Sequence, residues 1–312
     1  MTDAAPMMGH GPAGARAVWC RASDRVRLRV VVWPHPGARG TVLILPGRTE
    51  HAEKYADTAA GLARRGFASA AVDWRGQGLA DRMLADPRKG HVGSFDDYQR
   101  DLSAFSQACD AAGLPGPRHM LGHSMGGCIG LRGLMDGFAV ASAAFSAPMW
   151  GIKVPAGKTA VVRRLSGFAC ALGLGATWAP PPASGPVCYA ATAPFDGNIL
   201  TSDRAEWDAM QADLCAHPQV QIAGPTLGWL HQSLLECHRL AARPSPAVPV
   251  LTAVGGDEAI VDVAAIESRM ARWPGGRLLR IDGARHELLM EAPARREPLL
   301  DAFAAQFAAH GN

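Results

Sequence analysis

The sequence lacks a long hydrophobic run, since no segment approaches the about 18 consecutive apolar residues that a membrane-spanning helix needs. It also has little charge of one sign: 31 basic and 28 acidic residues leave a formal net charge of +3. So small an excess excludes the strong positive field that nucleic-acid binding requires. Residues 1–20 contain no apolar core of signal-peptide length. We therefore expect a soluble, cytoplasmic protein.

Cysteines with metal or redox spacing are also missing. The seven cysteines are scattered without a C-x-x-C pair, and an odd count favours free thiols in a reducing compartment. His217 lies two residues after Cys215, and His238 directly follows Cys237. Neither pair has further ligands at the spacing that a metal site needs. No glycine-rich phosphate loop or dinucleotide fingerprint is present. The sequence predicts neither a metal nor a cofactor.

Short β-rich runs alternate with helical patterns through the first half of the chain. The pattern predicts strands over 26–33, 41–45, 67–73, 118–122 and 140–146, with helices over 53–65, 94–109 and 125–135. It resumes with strands over 250–254 and 278–281, a helix over 263–272 and another helix from 293. Such alternation favours an α/β fold with a mainly parallel sheet covered by helices on both faces.

The alternation lapses in the middle of the chain. A proline- and glycine-bearing segment occupies 179–186, helical segments follow over 203–215 and 226–240, and no convincing strand is visible. We therefore predict three parts. Residues 1–147 form the first part of the core, 148–246 form a helical lid insertion, and 247–312 complete the core.

The sharpest motif is Gly-His-Ser-Met-Gly at 122–126, between a predicted strand and a predicted helix. A tight strand-to-helix turn at such a motif lifts a serine hydroxyl clear of the backbone. Serine is a weak nucleophile unless a base removes its proton and a third group orients that base. Ser124 is thus the candidate nucleophile, with both partners expected after late strands.

Those late strands carry the candidate base and acid. His286 follows the strand predicted over 278–281. The turn after 250–254 contains Glu258 and Asp257, and the spacing from the strand end favours Glu258 while leaving Asp257 as the alternative. Asp262 better fits the start of the next helix, where an acidic group interacts favourably with the helix dipole.

Acyl transfer also needs N–H donors for the developing oxyanion. One candidate is the backbone N–H of Met125, immediately after the serine. The other is the backbone N–H of Arg48, in the loop after an early strand, where Gly47 permits close approach. These two groups form the predicted oxyanion hole.

Seven motifs in preserved order span nearly the whole chain: LPGRTEHAEKY (45–55), DWRGQGLADR (73–82), GHVGSFDDYQRDL (90–102), GHSMGG (122–127), FSAPMWG (145–151), AGPTLGWL (223–230) and GARHELLME (283–291). On these motifs the chain resembles the monoacylglycerol lipase and lysophospholipase branch of the α/β-hydrolases, with its serine aminopeptidase-like domain. The resemblance implies Ser124 as nucleophile, His286 as base, and Arg48 and Met125 as oxyanion donors.

Two positions depart from the family pattern. Pro46 stands where many relatives carry histidine, although lysophospholipase-like members tolerate proline. The acid is commonly Asp in the family, and ungapped register through 260–262 places Glu258 there. The resemblance therefore supports Glu258 over Asp257.

The resemblance implies hydrolysis of single-chain lipid esters, either lysophospholipid or monoacylglycerol, through an acyl-enzyme. Trp178, Leu227 and Trp229 are the candidate substrate-binding residues. With Phe168, Leu172 and Leu174 they would form either an apolar acyl channel or ordinary lid packing.

Two other functions fit the same fold. One is an esterase, peptidase or acyltransferase of small non-lipid substrates, and the other is a catalytically silent lipid-binding protein. The expected partner is a lipid ester, with no nucleic acid and no obligate protein partner. The pair Arg163–Arg164, beside an apolar run, predicts transient contact with the inner face of a membrane.

Overall fold

The computed structural model describes residues 3–8, 12–155, 157–181, 183 and 185–311. The strands of this part are β1 Asp3–Ala5, β2 Arg16–Arg21, β3 Arg27–Trp33, β4 Thr41–Leu45, β5 Ala68–Asp73, β6 Arg118–His123, β7 Ser142–Ser146, β8 Val250–Gly255 and β9 Arg277–Ile281. The helices are α1 Ala56–Arg64, α2 Phe95–Ala111, α3 Met125–Met135, α4 Thr159–Ala171, α5 Tyr189–Thr192, α6 Arg204–Ala216, α7 Leu227–Ala242, α8 Val263–Met270 and α9 Pro293–Ala308.

All of these strands form one sheet in the order β1-β2-β3-β5-β4-β6-β7-β8-β9. The pairs from β1 to β5 are antiparallel, and every pair from β5 through β9 is parallel. The predicted mainly parallel sheet is therefore confirmed. Because the parallel strands run in one direction, the loops after β4, β6, β8 and β9 emerge at the same edge.

The central strands are buried on both faces. Every residue of β4 and β5 is buried, as their unbroken apolar and small-residue sequences require. Helix α1 packs against α9, and α2 packs against α3. These helix pairs cover a sheet whose middle strands have no face left for water.

Local signals fix several helix starts. Ser94 and Asp97 form the capping box at α2. The Ser94 side chain accepts from the backbone N–H of Asp97, and the Asp97 side chain accepts from the backbone N–H of Ser94. The Asp262 side chain caps α8 by accepting from the N–H groups of Ala264 and Ala265. Asp262 is thus a helix cap, as its position in the sequence predicted.

Four of the named elements were not predicted: β1, β2, α4 and the single-turn helix α5. Strands β1 and β2 extend the antiparallel edge of the sheet. Strand β2 pairs with β3 and β1 pairs with β2, and this pairing rather than burial holds them, so their apolar pattern is weak. Helix α4 was missed because Gly167 and two adjacent valines lower its helical propensity. Its packing against α7 supplies the missing stability.

The segment between β7 and β8 carries α4 to α7 and has its own small core. Buried side chains from this segment and the N-terminal region share that core: Met8, Cys188, Trp207, Met210, Leu214 and Val220. The segment's helical character agrees with a lid, while the exact limits 148–246 stay a prediction.

Among the described residues, no helix combines the length and the apolar character needed to cross a bilayer. All seven cysteines fall within that part of the chain and are free thiols.

Candidate active site

Three side chains meet where β6, β8 and β9 end. Ser124 follows β6, Glu258 lies in the turn after β8, and His286 lies in the loop after β9. The Ser124 Oγ is 3.0 Å from His286 Nε2, and His286 Nδ1 is 2.8 Å from Glu258 Oε2. This is the nucleophile–base–acid arrangement that activates a serine hydroxyl.

Ser124 occupies a strained turn. Its φ of 49° and ψ of −118° lie outside the region that a non-glycine residue ordinarily adopts. The motif glycines make this turn possible, since a Cβ at Gly126 would overlap the Leu45 carbonyl and one at Gly122 would crowd Phe145. The turn holds the hydroxyl toward His286 while α3 starts directly behind it.

The structure places Glu258, rather than Asp257, against the imidazole. Glu258 is buried, and its Oε1 accepts hydrogen bonds from the N–H groups of Ile260 (2.6 Å) and Val261 (3.1 Å). Burial alone would raise the pKa of Glu258, but His286 and these two N–H groups outweigh it and lower that pKa. Asp257 is exposed. The carboxylate facing His286 therefore stays ionised at neutral pH.

The predicted oxyanion donors lie at two backbone segments that approach closely. Met125 is the first residue of α3, so its N–H has no acceptor within the helix. Gly126 fits against the backbone of Leu45 and Pro46, at the start of the loop that carries Arg48. The role of the Arg48 and Met125 N–H groups stays a prediction that this close approach favours.

A buried charge cluster underlies this loop. Glu50 accepts from the N–H of Gly47 and from the Tyr55 hydroxyl, and it pairs with Lys54. The Lys54 Nζ also lies 2.8 Å from Glu287 Oε1. Burial would lower the pKa of Lys54, but Glu287 and Glu50 raise it to about 12. The ammonium thus joins the oxyanion loop to the residue after His286.

His123 completes the cluster. Its Nδ1 is 3.0 Å from the Ser146 carbonyl, and its Nε2 is 3.3 Å from Glu287 and 3.7 Å from Glu50. Burial would lower the pKa of His123, but the two carboxylates outweigh it and raise that pKa. Because both ring nitrogens face acceptors, the protonated form fits best. The cluster then holds two carboxylates and two cations and carries no net charge.

Glu50, His123 and Glu287 lie close enough together to hold a metal ion. However, the Lys54 ammonium already contacts both carboxylates. Its charge opposes a metal ion at the same place, and the cluster is best described as an ion-pair network.

A cavity of about 490 Å³ opens over Ser124 and His286. Trp229 lines it, and its role as a substrate-binding residue stays a prediction. The other apolar walls come from both core and lid: Met149, Ile152, Tyr189, Leu200, Met210, Leu214, Ile222, Leu230, Ile260, Val261 and Met290. These side chains can accommodate an alkyl chain beside the serine.

Trp178 and Leu227 do not line this cavity, which corrects their assignment as substrate-binding residues. The Trp178 backbone pairs with Thr226, and its ring faces the Lys89 ammonium at 5.1 Å. These contacts keep Trp178 beside the start of α7. Phe168, Leu172 and Leu174 are exposed side chains of the lid rather than parts of an internal channel.

The charge cluster was missed in the sequence. Glu50 and Lys54 have the spacing of an ordinary helical ion pair. In the sequence, His123 and Glu287 are simply the residues next to Ser124 and His286, with no sign of a separate role. Their positions one residue from Ser124 and His286 were the available signal. Only the fold brings the four together.

The chain matches the family model described as "Serine aminopeptidase, S33" over residues 36–293. It is 35% identical to lysophospholipase L2 of Escherichia coli (strain K12) over 289 residues, which cover 87% of this chain and 81% of that protein.

Two solved structures show the same fold. A soluble variant of monoglyceride lipase from Saccharomyces cerevisiae superposes with a TM-score of 0.71 at 19% identity, covering 93% of this chain and 94% of that one. A carboxyl esterase from Bacillus coagulans gives a TM-score of 0.77 at 14% identity, covering 96% and 99%.

Proposed function

This chain belongs to the serine aminopeptidase S33 family of α/β hydrolases, and on that premise we propose that Ser124 hydrolyses carboxylic esters of lipids with a single acyl chain. The observation that carries the proposal is the hydrogen-bonded series Glu258–His286–Ser124 beneath a largely apolar cavity. The names of the similar proteins, lysophospholipase L2 and monoglyceride lipase, support the lipid class.

In the proposed first step, His286 Nε2 takes the Ser124 proton as Oγ attacks the ester carbonyl. Ionised Glu258 stabilises the imidazolium and keeps Nδ1–H oriented. The carbonyl oxygen becomes an oxyanion that accepts from the N–H groups of Arg48 and Met125. The alcohol leaves with the proton from His286, and the acyl group stays on Ser124.

In the second step, His286 removes a proton from water, which attacks the acyl-enzyme. The second tetrahedral intermediate collapses, His286 returns its proton to Ser124, and a fatty acid is released. The apolar walls of the cavity suit this product better than a small polar acid.

We also propose that the lid touches lipid surfaces through α4. Val161, Leu165, Phe168 and Leu172 recur at helical spacing, and each is more than half exposed. Arg164 is exposed beside them, and Arg163 is half-buried. An exposed apolar stripe flanked by arginines suits an interface of anionic headgroups.

The test is fatty-acid release from lysophosphatidylcholine and from monoacylglycerol with the same acyl chain. The wild-type protein should release fatty acid from at least one, and Ser124→Ala should reduce kcat at least about 10⁴-fold. A fluorophosphonate probe should label wild type and not Ser124→Ala.

The control variant is Ser103→Ala, which changes a serine of α2 outside the cavity and should retain activity. Turnover of short-chain esters without release from either lipid would contradict the lipid assignment and leave the serine mechanism. Absence of labelling at Ser124 would contradict both.

A further inference from the structure

The Arg48 side chain is half-buried, and its guanidinium has no acidic partner among the described residues. One Nη donates to the Ala223 carbonyl at 2.9 Å, and the guanidinium carbon lies 4.8 Å from the Trp229 ring centre. The buried Nε has no hydrogen-bond partner within the described residues. A neutral carbonyl and an aromatic face compensate a buried cation only in part.

The buried arginines of the core have several internal hydrogen-bond acceptors each. Arg269 has no acidic partner among the described residues, but it donates to the carbonyls of Leu240 and Arg243 and to the Ser245 hydroxyl. Arg29 pairs with Glu53 and Asp73, and Arg75 pairs with Asp24 and Asp101. In the part of the chain that the structure describes, Arg48 forms no such pair. Burial therefore lowers the pKa of Arg48 to about 10, which still leaves it protonated at neutral pH.

Arg48 lines the same cavity as Ser124. Other basic side chains there have acidic neighbours: Lys54 lies against Glu287, and the His51 ring is 3.1 Å from Asp213. Among the described lining residues, Arg48 is thus the cation whose charge remains available to a ligand. An anion that enters the cavity gains most by binding there.

We propose that Arg48 binds the phosphate of a lysophospholipid and so makes the enzyme prefer lysophospholipid over monoacylglycerol. This inference rests on the proposed function. The Arg48 backbone N–H is the candidate donor to the ester oxyanion, and its side chain carries the charge a few bonds away. In a lysophospholipid, a three-carbon glycerol likewise separates the ester from the phosphate. Guanidinium and phosphate also match geometrically, since two N–H groups can donate to two oxygens.

A purely structural role for Arg48 would give a different result. Its bond to Ala223 and its contact with Trp229 connect the oxyanion loop to the lid. Loss of that connection would impair both substrates alike, whereas loss of a phosphate contact impairs only the charged one. The informative quantity is therefore the ratio of kcat/KM for lysophosphatidylcholine to kcat/KM for monoacylglycerol with the same acyl chain.

The experiment compares this ratio in wild type, Arg48→Met and Arg48→Lys. The ratio should fall about 10- to 100-fold in Arg48→Met and less in Arg48→Lys, which keeps a positive charge. The matched control is Arg82→Met, which removes another core arginine that donates to a lid carbonyl, that of Gln219, but does not line the cavity. Its ratio should equal that of wild type.

Inhibition of monoacylglycerol hydrolysis separates the two sources of phosphate. Glycerophosphocholine should compete in wild type more strongly than inorganic phosphate does, and Arg48→Met should lose that inhibition. Stronger inhibition by inorganic phosphate would overturn the headgroup assignment. An equal loss for both lipids in Arg48→Met would overturn the proposal, while the Ser124 chemistry would stand. Absence of release from either lipid by wild type would instead contradict the proposed function.

Discussion

The α/β core and the lid differ in how far their apolar side chains are buried and their charged side chains are paired within the protein. In the core, β4 and β5 are entirely buried. Arg29, Arg75 and Lys54 have acidic partners, and the buried Arg269 donates to backbone carbonyls. In the lid, α4 leaves an apolar stripe exposed. At the boundary between the two, the Arg48 guanidinium lacks an anion among the described residues.

This difference separates two kinds of residue. Groups that are complete within the protein maintain the fold and the reaction geometry, so changing them should reduce stability or kcat. Groups left incomplete have their partners outside the protein, so changing them should alter lipid binding with little effect on folding. Substitutions at residues of each kind test that division.

The largest expected effect is at the acid of the core. Glu258→Gln should keep the hydrogen bond but remove the charge that stabilises the imidazolium, and kcat/KM should fall about 10⁴-fold. The measurement is hydrolysis of a short-chain ester at neutral pH. Asp257→Asn is the matched control and should stay close to wild type, because Asp257 is exposed. The reverse pattern would assign the acid to Asp257.

Next comes the buried ion-pair network. Lys54→Met leaves Glu50 and Glu287 without their shared cation, and the free energy of unfolding should fall by about 3–5 kcal/mol. Urea unfolding measures this change. Lys158→Met, at an exposed lysine of the lid, should change it by less than about 0.5 kcal/mol. Similar losses in the two variants would break the distinction between core and lid.

A smaller effect is expected in the lid. Arg163→Ala combined with Arg164→Ala should weaken binding to anionic liposomes by about 2 kcal/mol, since each charge near such a surface contributes about 1 kcal/mol. Sedimentation with liposomes measures it. The double variant Arg272→Ala/Arg277→Ala removes the same charge from the core and serves as control. Unchanged binding in the lid variant would contradict surface contact through α4.

The smallest effect concerns pH. The raised pKa of His123 gives stability that is complete below its unfolded pKa of about 6.5 and disappears as pH rises through the folded pKa. The lowered pKa of Glu287 gives stability that is lost as pH falls through that pKa. Urea unfolding across a pH series should show both declines, and His123→Gln should lack the alkaline one. An unchanged alkaline decline in this variant would place the titration elsewhere.

Much of the fold followed from periodicity. Helix α3 begins and ends at the predicted residues 125 and 135, and the parallel strands agree to within one or two residues. Buried parallel strands must be almost wholly apolar, so their sequences identify them. The edge strands β1 and β2 and helix α4 bury less, and their patterns were correspondingly weak.

The sequence by itself determined the candidate nucleophile and base, because Ser124 lies in a motif typical of a tight strand-to-helix turn and His286 follows a late predicted strand. It left Glu258 and Asp257 open, since two adjacent carboxylates differ only in the direction that their turn gives them. It also did not reveal the cluster around Lys54, or that Arg48 has no acidic partner in the part of the chain that the structure describes. Whether a charge has a partner depends on distances between residues far apart in the chain, and the tertiary structure alone sets those distances.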